Sequence, residues 1–457
     1  MHGASAAVGG PLGGHATTGW SWWTPLRVVL VLTTVTFALG MVQKAPCVVD
    51  GASLTSMCYT DIDKLYSSRG FAEGNPPYVS SDERYQYFEY PVLVGGFVQV
   101  ASLVTHEFFG SPDVADLPPD RVFADPEVAA NVVPFTTVNA LLLFVCALVA
   151  AAALTGVHRQ RPWDAALFAA APALALTGLI NWDLFAVAIL AAALLAWSRR
   201  HPVVAGVLIG LGTAAKLYPL FVLGPLLLLC WRAGRMAAYA QAAGAAAVAW
   251  LLVNLPVLAL NPAGWGSFWA FNSERGADLG SVWYVWTLLG REVSASTINT
   301  SSWVFFGAAC VAVALLALLA RRRPRLPQLA FLVVAAFLLV NKVYSPQYVL
   351  WLLPLAVLAR PRWRDLLVWQ ACEAFYFGAI WLHLGGDLDP GTSGAVPSAY
   401  VLAVTVRLAG QMWLMGVVVR DVLRPWHDPV RADGRTDDPA GGVLDAAPDR
   451  TDSLAPR

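Results

Sequence analysis

The run "VVPFTTVNALLLFVCALVAAAALTGV", residues 132–157, ends at the basic cluster "HRQR", residues 158–161. Twenty-six residues with no charge exceed the roughly 20 that an α-helix needs to cross a hydrocarbon core, and lysine and arginine collect on the cytoplasmic side of such crossings. This stretch therefore reads as a membrane span with a fixed direction: it enters the cytoplasm at its C-terminal end. Upstream, "LRVVLVLTTVTFALGMV" (26–42) is a second span, held inside at its start by Arg27. It exits where the later one enters, so residues 44–131 stay outside. The apolar stretch "PVLVGGFVQVASLVTHEFF" (91–109) is then read as a helix on the outer membrane surface, or a re-entrant one.

Composition agrees. The 457-residue chain is 57 % hydrophobic and 13 % charged, with mean hydropathy +0.57, whereas a soluble domain carries about 25 % charged residues. Its net charge of zero is uninformative about partners; the placement of charge is not. Basic clusters recur at 198–201, 232–235, 321–325, 360–364 and at Arg420 with Arg424. Each pair leaves room for one helix out and one back, with outward turns at "NWD" (181–183), "KLYP" (216–219), 261–301, "NKVYSPQ" (341–347) and 384–397. The expectation is an all-α polytopic membrane protein of about twelve crossings, some short and tilted, with a long first extracytoplasmic loop. Residues 1–24 and 425–457, polar and poor in apolar side chains, are expected to be disordered cytoplasmic ends around a membrane domain of residues 25–424. Nothing points to nucleic acid.

Of six cysteines, Cys146, Cys230, Cys310 and Cys372 fall within or beside spans and read as small apolar residues. Cys47 and Cys58 lie in the first outer loop, where thiols oxidise, and are expected to form a disulfide just ahead of "TDIDKLY". No cysteine–histidine spacing of a metal site appears, and no cofactor is expected.

The same topology sorts the polar residues. Asp61, Asp63 and Glu89 lie in the first outer loop, while Asp183, Lys216, Arg275, Asp278, Lys342 and His383 lie at later outward turns. Ionisable groups at membrane depth are costly and mark sites or pathways. Each also has a bland reading. Asp183 caps a helix, Lys216 snorkels to the interface, Arg275 pairs with Asp278 across a turn, and nearby Trp and Tyr form an interfacial belt. Asp61, or Thr60 before it, can cap a helix opening at "TDIDKLY". A carboxylate there is equally suited to act as a general base on a hydroxyl, opposite cations that stabilise a leaving phosphate. Sugar transfer from a lipid-linked phosphate demands that pairing. The rival from another class is a transporter or flippase, which places ionisable residues near the midplane on broken helices; "GLGTAAKLYPL" (210–220) keeps that rival open. A non-catalytic scaffold is a third reading.

Three segments carry a resemblance. "DIDKLYSSRGFAEGNPPYVSSDERYQYFEYPVLVGG" (61–96), "RRHPVVAGVLIGLGTAAKLYPLFVLGPLLLL" (199–229) and "NKVYSPQYVLWLLPL" (341–355) resemble, in order, the aspartate–tyrosine opening, the lysine–proline segment and the "SPQY" segment of glycosyltransferase family 87. The resemblance spans roughly residues 25–385 and implies a GT-C-like fold whose first outer loop carries the catalytic aspartate and membrane-surface helices. The family contains actinobacterial mannosyltransferases that use polyprenyl-phosphate-mannose, including those building phosphatidylinositol mannosides. It implies transfer of a sugar, mannose above others, from that donor to a lipid or glycan acceptor at the outer face of the cell membrane, with inversion and without a metal. The family's general base corresponds to Asp61, with Asp63 as second candidate because "DIDKLY" is one residue longer than the shorter form of the motif. Lys216, Arg275, Lys342, Gln347, Tyr348 and His383 are then expected on the donor side, and Glu89, Tyr90 and Asp183 on the acceptor side.

Overall fold

The computed structural model describes residues 23–50, 52, 54–79, 84–388 and 396–450; among them there are helices and turns and no strand. Among the described residues, six helices are long and apolar enough to cross a membrane: Pro25–Val49, Val92–Phe109, Pro126–Val157, Met236–Leu260, Ala295–Leu319 and Ser398–Leu423. Shorter apolar helices fill the intervals: Asp183–Ser198, Pro202–Ala215, Tyr218–Arg232, Leu326–Val340 and Pro346–Ala359. This is an all-α multi-pass membrane architecture. Val92–Phe109, expected on the outer membrane surface or as a re-entrant helix, packs along Pro126–Val157. It also fastens the first loop, through Ser102 Oγ donating to the Phe71 carbonyl at 2.6 Å.

Three of the shorter helices share one pattern of ends. Asp183–Ser198 starts beside Asn181 and ends at Arg199; Pro202–Ala215 follows His201 and ends at Lys216; Leu326–Val340 follows Arg325 and ends before Lys342. Thus each carries a member of a basic cluster at one end and a polar turn residue at the other. Close approach makes this bundle tight. A Cβ on Gly206 would lie 2.1 Å from the Ala242 carbonyl oxygen, and one on Gly210 2.2 Å from that of Ala246, so helices Pro202–Ala215 and Met236–Leu260 meet backbone to backbone through small residues.

The C-terminal tail corrects an expectation. Residues 425–450 are not a loose end: they fold over the basic end of the bundle, while 1–22 and 451–457 lie outside the described residues. Arg325, fully buried, donates to both carboxylate oxygens of Asp428 at 2.7 and 2.9 Å and to the carbonyls of Leu358 and Ala359. Arg323 reaches Asp437 at 3.0 Å, and Arg232 reaches Asp449. Composition reads disorder from a lack of apolar side chains, but here the aspartates "DP…DD…D" of the tail are the counter-ions of arginines that the bundle buries, and buried charge demands a partner.

Candidate active site

Asp61 is the first residue of the short helix Asp61–Ser68. Thr60, extended, is the N-cap: its hydroxyl accepts from the Ile62 N–H and donates to the Ile180 carbonyl at 3.2 Å, while the Asp61 N–H donates to that same carbonyl at 2.7 Å. The chain ahead is also tied down. Cys47 and Cys58 form a disulfide, and Lys44 Nζ donates to the Tyr59 carbonyl at 2.8 Å. The Asp61 carboxylate accepts from the Tyr59 hydroxyl at 2.9 Å, and Asn181 Nδ2 approaches its other oxygen at 3.5 Å. Burial pushes the Asp61 carboxyl above its ordinary range, opposed by these two donors and by the charge of Lys216. The outcome is a raised affinity for a proton, which suits a general base.

Asp61 opens onto a cavity of about 850 Å³. Glu89, Tyr90, Lys216, Arg275, Lys342, Gln347 and Tyr348 share its wall. Asp63, two residues on, does not; its carboxylate sits 3.5 Å from Lys64 Nζ. A second wall is apolar, formed by Trp269, Phe271, Trp303, Phe306, Phe337 and Val340.

The cations are placed by different devices. Lys216 leaves the end of Pro202–Ala215 in an extended conformation, its Nζ 3.4 Å from Asp183 Oδ1 and 4.6 Å from the Tyr90 ring centre. Arg275 pairs with Asp278, as the bland reading held, yet both also face the cavity. Lys342 Nζ donates to Asn299 Oδ1 at 2.6 Å. Burial, then the neighbouring Arg275, lowers its hold on its proton. Two cations thus stand near one another at the rim of one cavity. Glu89 is held by Arg69 through two bonds of 2.7 and 2.9 Å.

Two expected contacts are corrected. Asp183 does not line the cavity: it lies behind Lys216, where it also accepts from Trp351 Nε1 at 2.6 Å, because a buried ammonium needs its counter-ion on the side that excludes water. His383 is likewise behind the wall, stacked on Tyr400 with ring centres 4.1 Å apart and 3.4 Å from the Tyr284 hydroxyl. An aromatic neighbourhood at the end of Trp363–Leu384 takes it instead. Sequence reasoning missed Tyr59, Asn181, Asn299 and Lys44. Asn181 was within sight, since "NWD" was read as an outward turn, but an asparagine at a turn looks like a cap; it does cap, accepting from the Asp183 N–H at 3.1 Å, and turns its amide toward Asp61.

No curated protein matches the chain. Among solved structures it is similar to ArnT from Cupriavidus metallidurans, in a crystal structure bound to undecaprenyl phosphate: 15 % identity over 89 % of this chain and 79 % of that one, with a TM-score of 0.43. The model of glycosyltransferase family 87 matches residues 122–341, a region that holds Asn181, Lys216 and Arg275 and starts beyond Asp61. Over residues 122–341, then, this membrane protein is similar to glycosyltransferase family 87.

Proposed function

We propose that this protein transfers a sugar, mannose by family resemblance, from a polyprenyl phosphate to a hydroxyl of a lipid or glycan acceptor at the extracytoplasmic face of the cell membrane. One observation carries the reading: a single cavity has Asp61 on its wall, Lys216, Arg275 and Lys342 around it, and an apolar flank reaching between Pro262–Glu274, Ala295–Leu319 and Leu326–Val340. A carboxylate alone serves many reactions. A carboxylate facing cations beside an apolar groove fits an amphiphilic phosphate.

In the proposed step Asp61 removes the proton of the acceptor hydroxyl as that oxygen attacks the anomeric carbon. The bond from this carbon to the phosphate oxygen breaks, polyprenyl phosphate leaves with the electron pair, and the configuration inverts. Lys216, Arg275 and Lys342 balance the charge that builds on the phosphate, an electrostatic contribution made large by exclusion of water. A phosphate between Arg275 and Lys342, singly charged in the donor diester and doubly charged once it has left, also relieves their mutual repulsion. Glu89 and Tyr90, on the wall nearest Asp61, shape the acceptor side. No divalent metal is needed in this scheme, since the "DID" carboxylates diverge: Asp61 faces the cavity and Asp63 does not. The Cys47–Cys58 disulfide beside the site, and the basic clusters at the other end of the same helices, support the outward orientation.

The test is transfer of label from polyprenyl-phosphate-mannose to an acceptor-rich envelope extract by the purified protein in lipid, with and without EDTA. Product from the wild type and from Asp63→Asn, and none from Asp61→Asn, is the expected result. A folded wild type that makes no product from any polyprenyl-phosphate sugar overturns the reading in favour of a transporter; strict dependence on added Mg²⁺ or Mn²⁺ overturns the metal-free step.

A further inference from the structure

Arg407 lies mid-way along Ser398–Leu423, a helix beyond the family match, and is fully buried. An arginine within a membrane span is costly and marks function when its partners are specific. Its Nε donates to Glu373 Oε2 at 2.8 Å, which settles the charge. The rest of the guanidinium does something else. One terminal nitrogen donates to the Tyr344 carbonyl and the other to the Ser345 carbonyl at 3.1 Å, and the plane lies between the rings of Tyr344 and Tyr376, 3.4 and 4.2 Å from their centres. The two bonded carbonyls belong to the segment that carries Lys342, Gln347 and Tyr348 into the cavity.

A second cavity segment hangs on the same structure. The Asp278 N–H donates to the Lys342 carbonyl at 2.9 Å, and the Tyr344 N–H to the Leu279 carbonyl at 3.4 Å, so residues 278–279 and 342–344 are bonded to each other directly. The Gly280 N–H then donates to the Tyr400 hydroxyl at 3.1 Å. Gly280 has φ +77°, and a Cβ there would lie 2.3 Å from the Tyr344 oxygen and 2.9 Å from the Arg407 guanidinium. The packing behind both cationic turns is therefore closed, with Arg407 at its centre.

Resting on the reading above, we infer that Arg407 is a positioning residue for donor binding: its guanidinium fork fixes the turn bearing Lys342, and through it the turn bearing Arg275, at the spacing a donor phosphate requires. It touches neither cavity nor substrate. By drawing the Tyr344 and Ser345 carbonyls toward itself, it also keeps their negative ends off the wall that faces the phosphate. A lysine in its place keeps the charge but not the planar fork that holds two carbonyls and a carboxylate at once.

The experiment pairs titration of polyprenyl phosphate, read by the tryptophans of the cavity, with donor and acceptor kinetics, for wild type, Arg407→Lys and Tyr400→Phe. Arg407→Lys is expected to raise the polyprenyl phosphate Kd and the donor KM about tenfold, with acceptor KM unchanged, and Tyr400→Phe about threefold. A merely structural role lowers the active fraction, hence kcat, and leaves both constants in place; that result overturns the inference. Should Arg407→Lys not fold, the near-isosteric Tyr400→Phe decides, and an unchanged Kd there counts equally against it. Failure of the underlying reading is distinct, because it appears in the wild type as no binding of polyprenyl phosphate at all.

Discussion

Lys216 Nζ stands 3.4 Å from Asp183 Oδ1 with both side chains buried, and Trp351 donates to that same oxygen at 2.6 Å. The ammonium is thus held from behind while its free side, over the Tyr90 ring, faces the cavity. Removing one member of a buried pair leaves an uncompensated charge, at a cost of about 3–5 kcal/mol. Asp183→Asn is expected to lower the melting temperature in detergent sharply. Adding Lys216→Met should restore most of the stability and none of the transfer; sugar transfer by the double variant would show that Lys216 does not face the phosphate.

Tyr59 acts on Asp61, the proposed base, through one hydrogen bond. Burial raises the Asp61 pKa, and the Tyr59 hydroxyl opposes it by stabilising the carboxylate. Since only the carboxylate accepts a proton, activity is expected to fall as pH drops through this raised pKa, earlier than for a solvated aspartate. Tyr59→Phe removes an opposing donor, so the acid limb of kcat/KM should move up by about one pH unit. An unmoved limb would place the titrating group elsewhere.

The disulfide closes a loop of sequence separation 11 immediately before Tyr59 and Asp61. Loop-closure entropy assigns such a crosslink about 3 kcal/mol. Reduction is expected to lower stability by that order and to lower kcat through looser placement of Asp61. Thiol reagents of the membrane-impermeant kind should label Cys47 and Cys58 in cells only after reduction; labelling without it would deny the bond.

Asp428 ties the tail to Arg325. Burial works against its charge, but Arg325, by charge and hydrogen bonds, overrides it and holds the carboxyl below the usual range. A depressed pKa means stabilisation that is present above the unfolded aspartate value of about 3.9 and is lost as pH falls through the lower folded value. Asp428→Asn is therefore expected to cost about 3–5 kcal/mol at pH 7. Melting curves of wild type and variant should converge only below the carboxylate range; equal stability at pH 7 would mean that the tail is not anchored there.

The sequence by itself determined the membrane class, and it set basic clusters and polar turns at opposite ends of the apolar helices. The reason is that lipid imposes length on apolar runs and charge asymmetry on their ends, both one-dimensional properties; Arg199 and Asn181, at opposite ends of one helix, were sorted this way. It also singled out Asp61, Lys216, Arg275 and Lys342, because an ionisable residue beside a span is conspicuous. Only the tertiary structure set Asp61 on the cavity wall and left Asp63 off it, since two positions on one helix turn differ in direction and not in spacing. It alone moved Asp183 and His383 behind the wall, made counter-ions of the tail aspartates, and joined Arg407 to Tyr344 across 63 residues. Such partners share no local pattern: they are matched by where the helices cross, which depends on packing between segments far apart in the chain.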